Sequence, residues 1–376
     1  MKVLHLYSGN LFGGIETLLI TLSRKSNLCH QIEPHFALCF DGKLADALRA
    51  SNVEVHQIGY TKTSKPWTIL SARRQLRLLL KRQKFDVVIC HSFWVQAIFA
   101  PVVQMSSAAL VFWCHDIPKG KHWIERWAKL TKPDLVIANS RCTLKTISKL
   151  YKNVRTELLY CPVESSISKK SNAIRRKIRR ELKTPVENVV IVQTSRLDWL
   201  KGQHNLIQAL GRLKKLENWT LWIAGGVQRE HEENYLNSLK HQAIELGIHN
   251  QVHFLGHRSD VPELLTAADI YCQPNAAPDA FGIAFIEALY AGLPVVTTDI
   301  GGGGPEIVDD SCGILVPPES PESLSEALRT LIIDDIYRRR LAVGGPKRAK
   351  DLCDPSQQIA RLHQIFEQLT KSLVVA

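Results

Sequence analysis

The feature that most constrains this chain is an alternation of short apolar runs with segments of helical period. In the first half the runs are "KVLHLYS", "EPHFALCF", "VEVHQI", "FDVVICH", "ALVFWCHD", "PDLVIANS" and "TELLYCPV". In the second half they are "NVVIVQTS", "WTLWIAGG", "VHFLGH", "ADIYCQP" and "LPVVTTD". Runs of this length and β-branched content read as buried strands, and the segments between them read as crossover helices. Alternating β and α units imply parallel sheets covered by helices on both faces. The rhythm breaks once, at Pro162 to Arg180, "PVESSISKKSNAIRRKIRR", a polar and basic stretch that reads as a linker and a short basic helix. Two doubly wound α/β domains are therefore expected, over 1–165 and 172–352. The last stretch, 355–376, contains an amphipathic helix that would pack on either domain.

Composition narrows the function classes. The nine cysteines include no CxxC pair, so neither a disulfide framework nor a zinc site is expected, and a reducing compartment fits. The start, "MKVLHLYSG", enters a strand at once, and no signal peptide is expected. No apolar stretch approaches the ~20 residues of a membrane span. The net charge of +12 is confined to one half: residues 1–165 carry 23 Lys and Arg against 11 Asp and Glu, and residues 166–376 carry 25 of each. Such asymmetry points to an anionic partner for the N-terminal half.

Three stretches could carry chemistry. In "SGNLFGGIETLLITLSR", Gly9 to Gly14 has the glycine spacing of a phosphate loop, but Ile15 and Glu16 stand where Lys and Ser or Thr are required. What remains is a glycine turn between a strand and a helix, either a tight turn alone or a place where backbone approaches an anionic ligand. In "TSRLDWLKGQHNLIQAL", Arg196 and Lys201 follow a strand and precede a helix, at the sheet edge where open α/β folds bind ligands. Two such cations suit a diphosphate, or are simply solvated. In "PDAFGIAFIEALYAGLPVVTTD", Asp279 and Glu287 flank Gly282 in an otherwise apolar run. A helix is expected to start near Phe281 and Gly282, its N-terminus open to a phosphate. Glu287 then lies about 7.5 Å further along the axis, a distance suited to a ribose diol. Asp279 would reach hydroxyls beyond the phosphates, or serve as a plain N-cap.

Taken in order, these stretches resemble family 4 of the glycosyltransferases and related retaining enzymes. "DAFGIAFIEALYAGLPVV" resembles that family's E-x7-E signature, here Asp279-x7-Glu287. "GGIET", "VIANS", "SRLDWLKG" and "VHFLGHRSDVPELLTAADIYCQPN" resemble its other conserved segments, so that the resemblance covers nearly the whole chain. It implies the GT-B fold, two doubly wound Rossmann-like domains facing a central cleft. It implies transfer of a hexose-type unit from a nucleotide-diphosphate sugar, most simply a UDP- or GDP-sugar, with retention and with no further cofactor. The domain over 1–165 would be the acceptor side and that over 172–352 the donor side. Arg196 and Lys201 would bind the diphosphate and Glu287 the ribose. Backbone N–H groups of Phe281, Gly282 and Ile283 would meet the sugar or phosphate. Gly13 and Gly14 would close on the diphosphate, His115 in "WCHD" would contact the donor sugar near the reacting carbon, and Arg258 would lie beside the base. The first acid of the signature is Asp279 rather than Glu, one methylene shorter, which bears on the donor sugar rather than on the reaction class.

No Asp-x-Asp motif is present, so a metal-independent reaction is expected. Two basic segments with Trp and Leu, "KTSKPWTILSARRQLRLLLKRQK" and "KGKHWIERWAKLTK", have the composition of helices that lie on anionic membrane surfaces. The acceptor is then expected to be a glycan, a lipid-linked sugar or a small molecule. The protein would be cytoplasmic, peripheral on the inner face of the membrane if those segments meet lipid. No nucleic-acid-binding motif is present, and nucleic acid is not an expected partner. Sugar-nucleotide 2-epimerases share this architecture, and a non-catalytic nucleotide-sugar-binding protein is the remaining alternative.

Overall fold

The computed structural model describes residues 1–9, 13–165 and 171–375. The chain divides into two compact units, Met1–Val163 with Cys353–Ala376, and Glu164–Leu352. Of the linker stretch, residues 166–170 lie outside the described residues.

The first unit holds a seven-stranded sheet of β1 (Lys2–Tyr7), β2 (Glu33–Leu38), β3 (Glu54–Gln57), β4 (Val87–Cys90), β5 (Ala109–Cys114), β6 (Leu135–Ala138) and β7 (Arg155–Leu158). The order is β3-β2-β1-β4-β5-β6-β7, and every pairing is parallel. Strand order reverses between β1 and β4, so the carboxyl ends of these two strands flank a switch point, the place where open α/β sheets take ligands. Leu4, Leu6, Val88, Cys90, Leu110 and Phe112 alternate onto one face and pack with helices Pro66–Arg82 and Phe93–Val103. On the other face Tyr7, Phe36 and Leu38 pack with helix Gly14–Arg24.

Helix Pro355–Val375 belongs to this first unit. It buries Ile359, Leu362, Ile365, Phe366 and Leu369, one stripe at helical spacing. It packs against Gly14–Arg24 and β5, and Arg361 and Gln368 reach Glu157 and Arg155 beside β7. Where the chain leaves and re-enters the unit, Val163 donates to the Cys353 carbonyl at 3.0 Å.

The second unit holds a six-stranded parallel sheet of β8 (Val189–Thr194), β9 (Trp219–Ala224), β10 (Val252–Gly256), β11 (Ile270–Gln273), β12 (Val295–Thr298) and β13 (Gly313–Val316), in the order β10-β9-β8-β11-β12-β13. β13, "GILV", is a strand the sequence pattern does not separate from its Gly and Pro surroundings. The switch point falls between β8 and β11. The basic segment Asn172–Glu181 is a helix as expected from its period, but two of its cations are structural rather than solvated. Arg175 and Arg179 both bind Asp269, at 2.7 and 2.6 Å, and Arg179 also caps the carbonyls of Ala267, Val186 and Asn188. Asp269 in turn accepts from the N–H of Val190 at the start of β8. A buried arginine is tolerated because charge and donors are matched.

Candidate functional site

In the second unit, the loops after β8 and β11 meet at the switch point. The β8 loop turns back through a single helical turn, Trp199–Lys201, whose start is capped by the Asp198 side chain. Gly202 ends it at φ +69°, and a Cβ there would stand 1.8 Å from the Pro274 carbonyl oxygen. Only glycine permits both the left-handed turn and this contact. The N–H of Ala276 donates to the Leu200 carbonyl at 3.0 Å, joining the two loops. From beneath, Gln193 donates to the Lys201 carbonyl at 2.7 Å and Gln203 to the Arg196 carbonyl at 2.8 Å.

This framework aims Lys201 at Asp279. The ammonium and carboxylate are 2.5 Å apart, and each side chain is about one-fifth exposed. Asp279 is therefore an ion-pair partner and not the N-cap; the cap of helix Ile283–Tyr290 is Gly282, at φ +93°. No side chain caps this helix, so its first N–H groups and positive dipole end serve an anion well. Arg196 is nearly half exposed and lies 3.9 Å from Asp198.

Glycines after β12 shape the same corner. Gly302 pairs with Asp279 in a parallel bridge, and Gly303 donates to the Asp279 carbonyl at 2.8 Å. A Cβ at Gly302 would meet that carbonyl at 2.1 Å, and one at Gly303 would meet the Phe281 carbonyl at 1.8 Å. Gly302 and Gly303, in the run Gly301–Gly304, thus lie directly against the 279–281 segment. Sequence reasoning passed over it, although four consecutive glycines after a strand are themselves a signal of close backbone approach.

Glu287, five residues past the cap, sits among Phe285, Ile286, Ala288 and Leu289, all buried. Its carboxylate has no cationic partner among the described residues, and burial raises its pKa to about 7. Tyr271 lies buried close by, within electrostatic reach of both Glu287 and Asp279, donating to Gln273. Two more buried polar atoms at the β8 end, Gln193 Oε1 and Thr194 Oγ1, have no hydrogen-bond partner. Arg258 makes no hydrogen bond or ion pair with Lys201, Asp279 or Glu287 among the described residues. It lies beyond the edge strand β10, and its guanidinium is held by both oxygens of Asp260 and by Glu181, at 2.6–2.8 Å.

In the first unit, Gly13 and Gly14 open helix Gly14–Arg24, Gly13 being its cap in extended backbone with no side-chain cap. Residues 10–12 of the glycine turn lie outside the described residues. His115 follows β5 and is the outer end of a row that sequence reasoning missed. His5 Nδ1 lies 2.9 Å from His91 Nε2, and His91 Nδ1 lies 3.0 Å from His115 Nε2. Trp113 stacks on His115. Desolvation pulls His5 and His115 down to about 3 and His91 well below its ordinary value. Three neutral imidazoles in a row must share one polarity: if His5 donates to His91, His91 donates to His115, and the reverse also holds. Either way His115 Nε2 is occupied and Nδ1 is the nitrogen left for a ligand. The sequence shows one histidine in β1 and one just after each of β4 and β5, but only register brings them together.

Comparison with known proteins agrees with this fold. The family model described as "Glycosyl transferases group 1" matches residues 174–348, and that described as "Glycosyltransferase Family 4" matches residues 12–166. A D-inositol 3-phosphate glycosyltransferase of Corynebacterium urealyticum is 30% identical over 226 residues, covering 57% of this chain and 52% of that protein. The lipopolysaccharide glucosyltransferase WaaG of Escherichia coli is 39% identical over 140 residues, 37% of this chain and 36% of that protein. These matches span about half or less of the relatives' length. Among solved structures, Anabaena HepE in complex with UDP and glucose superposes with a TM-score of 0.86 at 25% identity, over 98% of this chain and 100% of that one. The same protein with UDP-glucose gives 0.84 over the full length of both. The fold is GT-B, two Rossmann-like domains.

Proposed function

We propose that this chain, a member of the GT-B-fold glycosyltransferases, moves a hexose from a UDP-sugar to its acceptor with retention at the anomeric carbon. The observation that carries this reading is the Lys201–Asp279 pair set at the uncapped start of helix Ile283–Tyr290. A uridine diphosphate is favoured because HepE, alike over 98% of this chain, was crystallised with UDP and glucose.

The diphosphate would lie along Lys201, Arg196 and the N–H groups of Phe281, Gly282 and Ile283. When the bond from the anomeric carbon to the phosphate oxygen breaks, the leaving diphosphate gains one negative charge. Lys201, Arg196 and the helix dipole stabilise that gain more than they stabilise the bound donor, which is the condition for catalysis. The acceptor oxygen enters on the face the diphosphate leaves, and its proton passes to the departing phosphate oxygen. Asp279 orients Lys201 and takes hydrogen bonds from sugar hydroxyls. Glu287 accepts from the ribose diol. His115, through Nδ1, holds a sugar hydroxyl near the reacting carbon, and Gly13 and Gly14 let backbone N–H groups approach the diphosphate. Arg258, held by two acids, shapes the wall on the base side.

The acceptor side is the basic first unit. Helix Pro66–Arg82 presents Trp67, Leu70, Arg74, Arg77, Leu78 and Lys81 to solvent, and Trp123 and Leu130 are exposed among lysines near helix Trp123–Ala128. Apolar and cationic side chains on one helix surface suit a membrane carrying anionic lipid, and so a lipid-linked acceptor.

A thermal-shift panel of UDP, GDP, ADP and CDP, with and without magnesium, tests the donor site. A selective shift with UDP that disappears in Lys201→Ala supports it; no shift with any nucleotide refutes it. Turnover then separates the alternatives. Free altered sugar without an acceptor marks a 2-epimerase, binding without any turnover marks a non-catalytic binder, and an inverted product by NMR rejects retention.

A further inference from the structure

Neighbouring strands β2 and β3 carry the same tripeptide pattern, Glu33-Pro34-His35 and Glu54-Val55-His56. Strand period places the Glu and His of each on a common sheet face. Register sets His35 opposite Glu54 and Ala37 opposite His56, so the two histidines are diagonal neighbours on that face. Their rings lie nearly parallel, 5° apart in plane, with His35 Nδ1 3.4 Å from His56 Nε2. The ligand atoms of His35, Glu54 and His56 all lie within 4.8 Å of one another.

That 3.4 Å is informative. The two imidazole pairs of the His5–His91–His115 row close to 2.9 and 3.0 Å, ordinary hydrogen-bond lengths. The His35–His56 gap is longer, and it matches the nitrogen–nitrogen edge of a zinc tetrahedron, about 3.3–3.4 Å for bonds of 2.0–2.1 Å. The other nitrogen of His35, Nε2, lies 2.9 Å from Glu33 Oε1. A proton held there leaves Nδ1 with its lone pair facing His56. Carboxylate behind histidine is the arrangement that fixes tautomer and ring orientation in metal sites. His35 is buried and meets the Phe85 ring edge-on, which locks it further. Glu54 is exposed and His56 partly so, leaving a way in, and no cationic side chain pairs with Glu54 among the described residues.

We propose that His35 Nδ1, His56 Nε2 and the Glu54 carboxylate bind a divalent transition-metal ion of the zinc class, with Glu33 orienting His35 and a fourth position left to water. Imidazole and carboxylate donors select zinc, cobalt or nickel over magnesium and calcium. The ligands lie within β2 and β3, whereas His91 and His115 follow the ends of their strands. The ion therefore fastens the four-residue edge strand β3 to β2 and takes no part in group transfer.

The test uses the full chain stripped with chelator and titrated with zinc by calorimetry and thermal shift. One equivalent is expected to bind and raise the melting temperature. His56→Gln and Glu54→Gln should each weaken binding at least tenfold, and Glu33→Gln by 10–100-fold. The nucleotide-induced shift of these variants should match the wild type, which shows that they fold. Cobalt in place of zinc should give visible bands of a nitrogen- and oxygen-bound ion without a thiolate charge-transfer band. No saturable binding overturns the proposal. So does zinc binding that survives His56→Gln and Glu54→Gln, since it would belong to other groups such as the cysteines.

Discussion

Replacing Glu287 by Gln is expected to stabilise the ligand-free protein while weakening its hold on the donor. Burial raises this carboxyl from an ordinary 4.5 to about 7. Between those values the folded protein keeps a proton that the unfolded chain has released, so stability falls as pH rises through that window. The difference corresponds to about 3 kcal/mol, a ceiling because the carboxylate keeps some contact with water. Glu287→Gln has no such slope. Its stability should equal that of the wild type near pH 4 and exceed it increasingly up to pH 8. For a unit of this size, each kcal/mol moves the melting temperature by about 2–4 °C. Binding should run the other way. A hydrogen bond to a carboxylate is worth about 1.5–3 kcal/mol against about 0.5–1.5 for one to a neutral amide, so the variant should lose about 1–1.5 kcal/mol, or roughly 5–12-fold in affinity. Donor binding near pH 7 should also release a proton fraction, read by calorimetry in buffers of different ionisation enthalpy, and Glu287→Gln should release none. Equal pH slopes for the two proteins, together with no proton release on UDP binding, would refute the assignment of Glu287 to the ribose.

Gly303→Ala should destabilise the second unit by about 1–3 kcal/mol in chemical denaturation, because its Cβ has no room beside the Phe281 carbonyl. The same variant should lose nucleotide affinity in calorimetry, since the start of the donor helix shifts with that carbonyl. The row His5–His91–His115, neutral when folded, should cost stability on acidification from about pH 6.5 downwards, at most about 1.4 kcal/mol per pH unit for each ring. His91→Gln should flatten that slope in acid-unfolding curves; an unchanged slope removes the row from the account. The wild type should co-sediment with anionic vesicles at low salt and be released by added salt, and Arg74→Glu with Arg77→Glu should abolish this. A wild type that stays in the supernatant at low salt ends the membrane reading.

Much of the fold could be read because parallel strands buried on both faces become continuous apolar runs, such as "VVIVQT" in β8 and "ALVFWC" in β5. β13 escaped because it has only four residues, Gly313–Val316, buried at its two ends and open in the middle, which offer little periodicity. Lys201 and Asp279 could each be nominated from local pattern, yet their ion pair spans 78 positions and depends on two loops meeting at the switch point. The histidine row was hidden for the same reason: His5, His91 and His115 are neighbours only once register is set. Arg258 was nominated from its motif position, but only one of its partners is local: Asp260 lies two residues on, Glu181 is brought in by folding, and together they hold its guanidinium.

The first unit is assembled from both ends of the sequence, and this matters while the chain is being made. Residues 1–163 can form their seven-stranded sheet early, but the β5 side of it and helix Gly14–Arg24 lack the apolar stripe of Pro355–Val375 until synthesis has passed the whole second unit. At 5–20 residues per second, that interval is on the order of ten seconds or more. During it the β5 side of the sheet and helix Gly14–Arg24 are without Leu362, Ile365 and Phe366, which cover them in the finished fold. The second unit, made of one uninterrupted segment, closes its own core first. The protein thus finishes its first unit last, and a chain cut short after residue 352 would carry a complete second unit and an unfinished first one.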